Sequence, residues 1–110
     1  MDDRRKFERL NLPTTSKAYV TSAEGKRLGN LSVLGRGGFQ IDLRDNSAYA
    51  SGTTHDVVIV DESEGIRREV TGLVRMSNPG AVGFEFQNLN PDAAVEVGVI
   101  IGKYYSAANG

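Results

Sequence analysis

Cysteine is absent from this chain. That absence removes a disulfide framework, a thiolate nucleophile and any cysteine metal site, and it fits a reducing compartment. The single histidine, His55, has neither a second imidazole nor a thiolate with which to share a metal. No apolar run approaches the length that spans a bilayer, and the charged N-terminus lacks the apolar stretch of a signal peptide. No membrane insertion is therefore expected, and a cytoplasmic location is. The net charge is −1, so bulk attraction to nucleic acid or anionic lipid is not expected either. No serine sits in a nucleophile elbow, and neither a GxGxxG nor a P-loop is present. Without paired catalytic groups, an enzyme is the class with least support. What remains is 110 residues with 39% hydrophobic content, enough for one core and one domain.

The apolar periodicity is mostly that of strands. Ala18–Thr21 and Arg27–Val33 read as a hairpin around Glu24-Gly25-Lys26. Phe39–Leu43 alternates apolar and polar, as a half-buried strand does. Residues 44–54 read as a polar loop. Val57–Val60 is β-branched and reads as buried. Arg67–Met76 and Val82–Phe86 alternate again, divided by the strong turn Asn78-Pro79-Gly80. The period then changes. Asn90 suits an N-cap, Pro91 the first helical position and Asp92 the positive end of the helix dipole. Ala93, Val97, Ile100, Ile101, Tyr104 and Tyr105 follow at spacings of three and four. The expected fold is all-β with a terminal helix: a small six-stranded antiparallel β-barrel plus a C-terminal α-helix. The expected division is a flexible arginine-rich arm over residues 1–12, a barrel over 13–89 and a helix over 90–108. Gly98 and Gly102 cost that helix about 1 kcal/mol each, which close approach to the barrel would explain.

Two short patterns carry the chemistry. Arg4, Arg5, Lys6 and Arg9 place four of the thirteen basic residues in the first nine positions, and Arg5 to Arg9 has the form RxxxR. Asn30-Leu31-Ser32-Val33-Leu34-Gly35 has the form NxSxxG. A guanidinium fork matches the adjacent O6 and N7 acceptors of guanine, stacks on a base and gives charge-assisted bonds to phosphate. Asn30 can bond a purine edge with its C=O and NH2, Ser32 can donate or accept, and Gly35 lets the backbone approach a ligand. In this order, ahead of a run of short strands, the two patterns resemble the PilZ domain, the bacterial receptor module for cyclic di-GMP. The resemblance runs from Arg4 to about Leu89.

The resemblance implies a non-catalytic cyclic di-GMP receptor or adaptor acting in second-messenger signalling, with no cofactor beyond that ligand. It assigns ligand binding to Arg4, Arg5, Arg9, Asn30, Ser32, Gly35, Arg36 and Gly38. Arg4 would add a stacking plane for a stacked dimer of the nucleotide. The NxSxxG segment would be a binding loop, and the arm would close on the ligand to reshape a surface read by a downstream protein partner. Two departures matter. The family's commonest pattern has aspartate where this chain has Asn30, and asparagine lacks the carboxylate that accepts guanine N1–H and N2–H together. The motif glycine is either Gly35 or Gly38, since Gly38-Phe39-Gln40-Ile41 enters the alternating strand. The alternative is a degenerate PilZ-like adaptor that binds protein and not nucleotide. A nucleic-acid-binding OB-type barrel would need exposed aromatics and a basic groove. The 7% aromatic content and the apolar settings of Phe39, Phe84 and Phe86 argue against DNA or RNA as partner.

Overall fold

A computed structural model of the protein describes residues 9–109. The chain forms β1 (Arg9–Asn11), β2 (Ala18–Ser22), β3 (Arg27–Gly35), β4 (Gly38–Ile41), β5 (Thr54–Asp61), β6 (Ile66–Asn78), β7 (Ala81–Gln87) and α1 (Pro91–Asn109). All pairings are antiparallel, in the order β1-β3-β2-β5-β6-β7-β4, and a further β3–β4 pairing closes the sheet. Strands β2 to β7 are thus the expected six-stranded barrel, with the expected helix after it. Closure gives each of β2 to β7 a neighbour on both sides.

β1 is an addition to that expectation. The arm read from composition ran to residue 12, yet Arg9–Asn11 pairs with Val33–Gly35 of β3, beyond the stretch of β3 that pairs with β2. Leu10 packs against the core and Leu12 belongs to it. Three residues are too few to show a period, so the charged context hid the strand.

The barrel interior is filled by Val20, Leu31, Leu34, Ile41, Val57, Ile59, Val74 and Val82, all buried. Burying each such side chain contributes about 1.5–3 kcal/mol, so Ile41→Ala would cost about 2–5 kcal/mol. Two bulges interrupt the strand period. In β3 the register shifts between Leu31 and Val33, which is why Leu31 and Leu34 both point inward although three residues apart. In β6 it shifts between Val74 and Met76. Met76 therefore leaves the inward series of Val70, Gly72 and Val74 that simple alternation assigned it.

α1 begins as the sequence implied: the Asp92 amide donates to Asn90 Oδ1 at 2.7 Å. Ala93, Val97, Ile100 and Tyr104 are buried, and the helix packs against β6, β1 and β3. Tyr105, expected on the same face, is 51% exposed. Gly98 and Gly102 do not serve close packing, because a Cβ at either would meet nothing within 4 Å. Charged contacts tie the helix down at both ends. Arg68 Nε donates to Glu96 Oε1 at 2.5 Å. Lys103 lies 3.6 Å from Oδ2 of the fully buried Asp61 and 3.4 Å from Glu64 Oε2, and it also donates to Ser63 Oγ.

Candidate functional site

The pairing of β1 with β3 brings the two sequence patterns together. Arg9, the last residue of RxxxR, stands directly across from Gly35, the last residue of NxSxxG. Beside them the chain opens a cleft of about 580 Å3 over the outer surface of β3, β4, β7 and β6. Its floor is low because glycines line it: Gly35, Gly37, Gly38 and Gly83. Around these stand Arg9, Arg36, Gln40, Arg75, Met76, Glu85 and Leu89. Among the described lining residues, three guanidinium groups against one carboxylate leave an excess of two positive charges.

Each element is positioned by a local cause. Arg36 and Gly37 form the tight link between β3 and β4, fixed to β7 where the Phe86 amide donates to the Gly37 carbonyl at 2.9 Å. Gly38 is required by the fold, since a Cβ there would lie 2.0 Å from the Phe84 carbonyl oxygen. Replacing Gly38 with valine would therefore break the β4–β7 approach rather than isolate a ligand contact. Beneath the floor, Phe39 stacks on Phe84 at 4.8 Å between centroids, with Phe86 at 5.4 Å from Phe39. Phe39 and Phe84 are 4% exposed, so these rings support the floor and offer no broad stacking face. On the far wall Arg75 Nε donates to Glu85 Oε1 at 2.6 Å.

Of the residues singled out in the sequence, Arg9, Gly35, Arg36 and Gly38 line the cleft. Arg4 and Arg5 lie outside the described residues. Asn30 and Ser32 precede the cleft on β3 and are not among its lining. The whole of Asn30–Gly35 is strand, so the segment expected as a loop is part of the barrel wall, with Leu31 and Leu34 facing inward. The bulge beside Ser32 turns its hydroxyl to the Gln40 carbonyl, 3.1 Å away. Asn30 Oδ1 accepts from Arg27 Nη2 at 2.7 Å, and Arg27 lies 4.0 Å over the Tyr19 ring.

Sequence reasoning missed Gln40, Arg75, Met76, Gly83, Glu85 and Leu89. An isolated glycine in an alternating strand, Gly83, was the one available signal of close approach. The meeting of Arg75 with Glu85 depends on a bulged register that no local pattern reveals.

His55, Asp61 and Lys103 are engaged within the fold. His55 packs on Tyr49 at 4.6 Å between rings, with Nε2 2.8 Å from Thr53 Oγ1. Asp61 closes the β5–β6 turn by accepting from the Ser63 amide at 3.0 Å. Burial lowers the Lys103 pKa, but the Asp61, Tyr104 and Glu64 charges and a bond to Glu64 outweigh it, holding that pKa above its ordinary value of 10.5. Among the described residues no cluster of three or more His, Asp or Glu side chains is arranged to hold a metal, and no helix is long and apolar enough to cross a membrane.

Comparison with known proteins agrees with this architecture. Residues 3–101 match the family model for the PilZ domain. No curated protein matches the chain in sequence. Among solved structures, the fold is similar to the PilZ domain with c-di-GMP of YcgR from Escherichia coli, with a TM-score of 0.76 and 17% identity over 96% of this chain and 95% of that one. It is similar to an uncharacterized Legionella protein, with a TM-score of 0.65 and 8% identity over 94% of this chain and 100% of the other. It is also similar to the PilZ domain of CeSA from a cellulose-synthesizing bacterium, with a TM-score of 0.59 and 17% identity over 92% of this chain and 98% of that one. At these identities the likeness is one of fold.

Proposed function

The chain belongs to the PilZ domain family, and from that premise we propose that it is a non-catalytic receptor for cyclic di-GMP in the bacterial cytoplasm. The observation that carries the reading is the meeting of Arg9 with Gly35 at the edge of a glycine-floored, arginine-walled cleft. The ligand carries two guanines and two phosphodiesters. The excess of two positive charges matches the phosphates, and each guanidinium also fits the O6 and N7 edge of a guanine. The volume lies within the range of small-molecule sites. Arg5 and Arg9 grip guanine and phosphate, and Arg36 adds a contact from the β3–β4 link. Arg4 supplies a further plane for a second, stacked nucleotide. The N-terminal arm closes over the ligand, and the surface so formed is what a protein partner reads.

A second reading, a PilZ-like adaptor that binds protein and no nucleotide, is favoured by one observation: the Oδ1 acceptor of Asn30 already holds Arg27. Calorimetry with cyclic di-GMP separates the two. Saturable binding of two nucleotides per chain is expected. One nucleotide per chain would remove the stacked dimer, and no saturable binding would leave the adaptor reading.

A further inference from the structure

Guanine differs from every other base in its N1–H and N2–H2 edge, two donors side by side that call for a pair of acceptors. A carboxylate supplies that pair with charge. In this chain the candidate at the start of NxSxxG is an amide whose one acceptor oxygen, Oδ1, already takes a bond from Arg27 at 2.7 Å and keeps a single lone pair, too few for two donors side by side. Among the described residues the cleft contains one carboxylate, that of Glu85. It projects from β7, opposite Gly38 in the β4–β7 pairing, and lines the cleft.

Resting on the cyclic di-GMP reading, we propose that Glu85, positioned by Arg75, is the carboxylate that reads guanine in this chain. A carboxylate has about four acceptor sites, so its bond from Arg75 Nε leaves capacity for N1–H and N2–H2. Arg75 has five N–H donors and retains several for the ligand, beside those of Arg9 and Arg36. Both side chains are open to the cleft: 67% of Arg75 and 42% of Glu85 is exposed. A pair so exposed contributes little to folding, and both of its side chains line the cleft. Three guanidinium groups without Glu85 would attract any dianionic nucleotide. Glu85 repels phosphate and accepts only a donor edge, which makes it the element of base choice.

The test uses the full chain and two ligands, cyclic di-GMP and its inosine counterpart, which lacks the N2 amine. Wild type is expected to bind the inosine ligand about tenfold more weakly, the loss of one charge-assisted bond. Glu85→Gln should weaken cyclic di-GMP binding about tenfold or more, and the ratio between the two ligands should shrink toward one. Circular dichroism confirms that the barrel is retained. Asn30→Ala should affect both ligands alike and keep the wild-type ratio. Should wild type bind cyclic di-GMP while Glu85→Gln binds it as well or better, or keeps the ratio, the assignment to Glu85 is overturned and the receptor reading stands. Failure of wild type to bind either ligand overturns both.

Discussion

Replacing Arg9 with alanine separates the fold from the site. Arg9 opens β1 and stands across from Gly35, so its backbone is part of the β1–β3 pairing while its side chain lines the cleft. Among the described residues that side chain has no ion-pair partner. Alanine keeps the backbone bonds, and an exposed truncation of this kind changes stability by no more than about 0.5 kcal/mol. Binding should respond differently. A guanidinium that gives charge-assisted bonds to guanine or phosphate contributes roughly 1.5–3 kcal/mol, which converts to about a ten- to hundredfold rise in Kd. The comparison is made by calorimetry at one ionic strength, because salt screens such contacts over about 8 Å at physiological concentration. Urea unfolding of the same samples supplies the stability. Arg9→Lys should recover only part of the loss, since the charge returns without the planar fork. Full recovery by lysine would mean that the cleft senses charge alone. An unchanged Kd in Arg9→Ala, and again in Arg9→Ala combined with Arg5→Ala, would refute the role given to the arginine pair.

Other outcomes follow from contacts elsewhere. Gly38→Ala should destabilise the barrel by about 2 kcal/mol or more, because its Cβ would sit 2.0 Å from the Phe84 carbonyl; an unshifted urea midpoint would contradict that close approach. Gly98→Ala should do the reverse and stabilise α1 by about 0.5–1 kcal/mol, since its Cβ enters open space within a helix; the readout is a rise of several degrees in Tm. Lys103→Met removes the ammonium 3.6 Å from Asp61 Oδ2, a buried atom with no hydrogen-bond partner among the described residues, and should cost about 1–3 kcal/mol. Because the folded-state pKa of Lys103 lies above 10.5, its contribution is complete below that pH and is lost as pH rises through the folded value. Wild type and Lys103→Met should therefore converge in stability only in strong alkali.

The strands most legible in the sequence were those with an uninterrupted period and a turn at each end. Phe39–Ile41 and Val82–Phe86 alternate cleanly, and both are strands whose inward residues fill the barrel. Asn90 announced the helix because an N-cap is a local device, and the bond it makes is local too. Legibility ended where a feature depends on the partner strand. β1 exists because β3 offers it an edge, and nothing within Arg9–Asn11 announces that edge. The helix glycines misled for the converse reason. Their cost in propensity is intrinsic, but the compensation assumed for it, contact with the barrel, is absent.

The cleft is the clearest case of a feature written between strands. β4 and β7 lie side by side, with Gly38 opposite Glu85 and Gln40 opposite Gly83. β3 flanks the pair on one side and β6 on the other, and each carries its bulge at this level, beside Ser32 and at Arg75. A bulge adds twist and redirects side chains. Here the first puts Val33 on the cleft side while Leu34 stays in the core, and the second delivers Arg75 and Met76 to the opposite wall. Two glycines lower the floor between them, and the stacked Phe39 and Phe84 hold that floor from beneath. The sequence shows the glycines and the phenylalanines as separate residues in separate strands. Only the staggered registers make them one concavity, and the same registers place Arg75 against Glu85. Deleting Arg75 would remove the β6 bulge and leave Met76 opposite Gly83 on the cleft side, as it is now, while taking from the far wall the guanidinium that pairs with Glu85, so the bulge itself is as much a part of the site as any side chain in it.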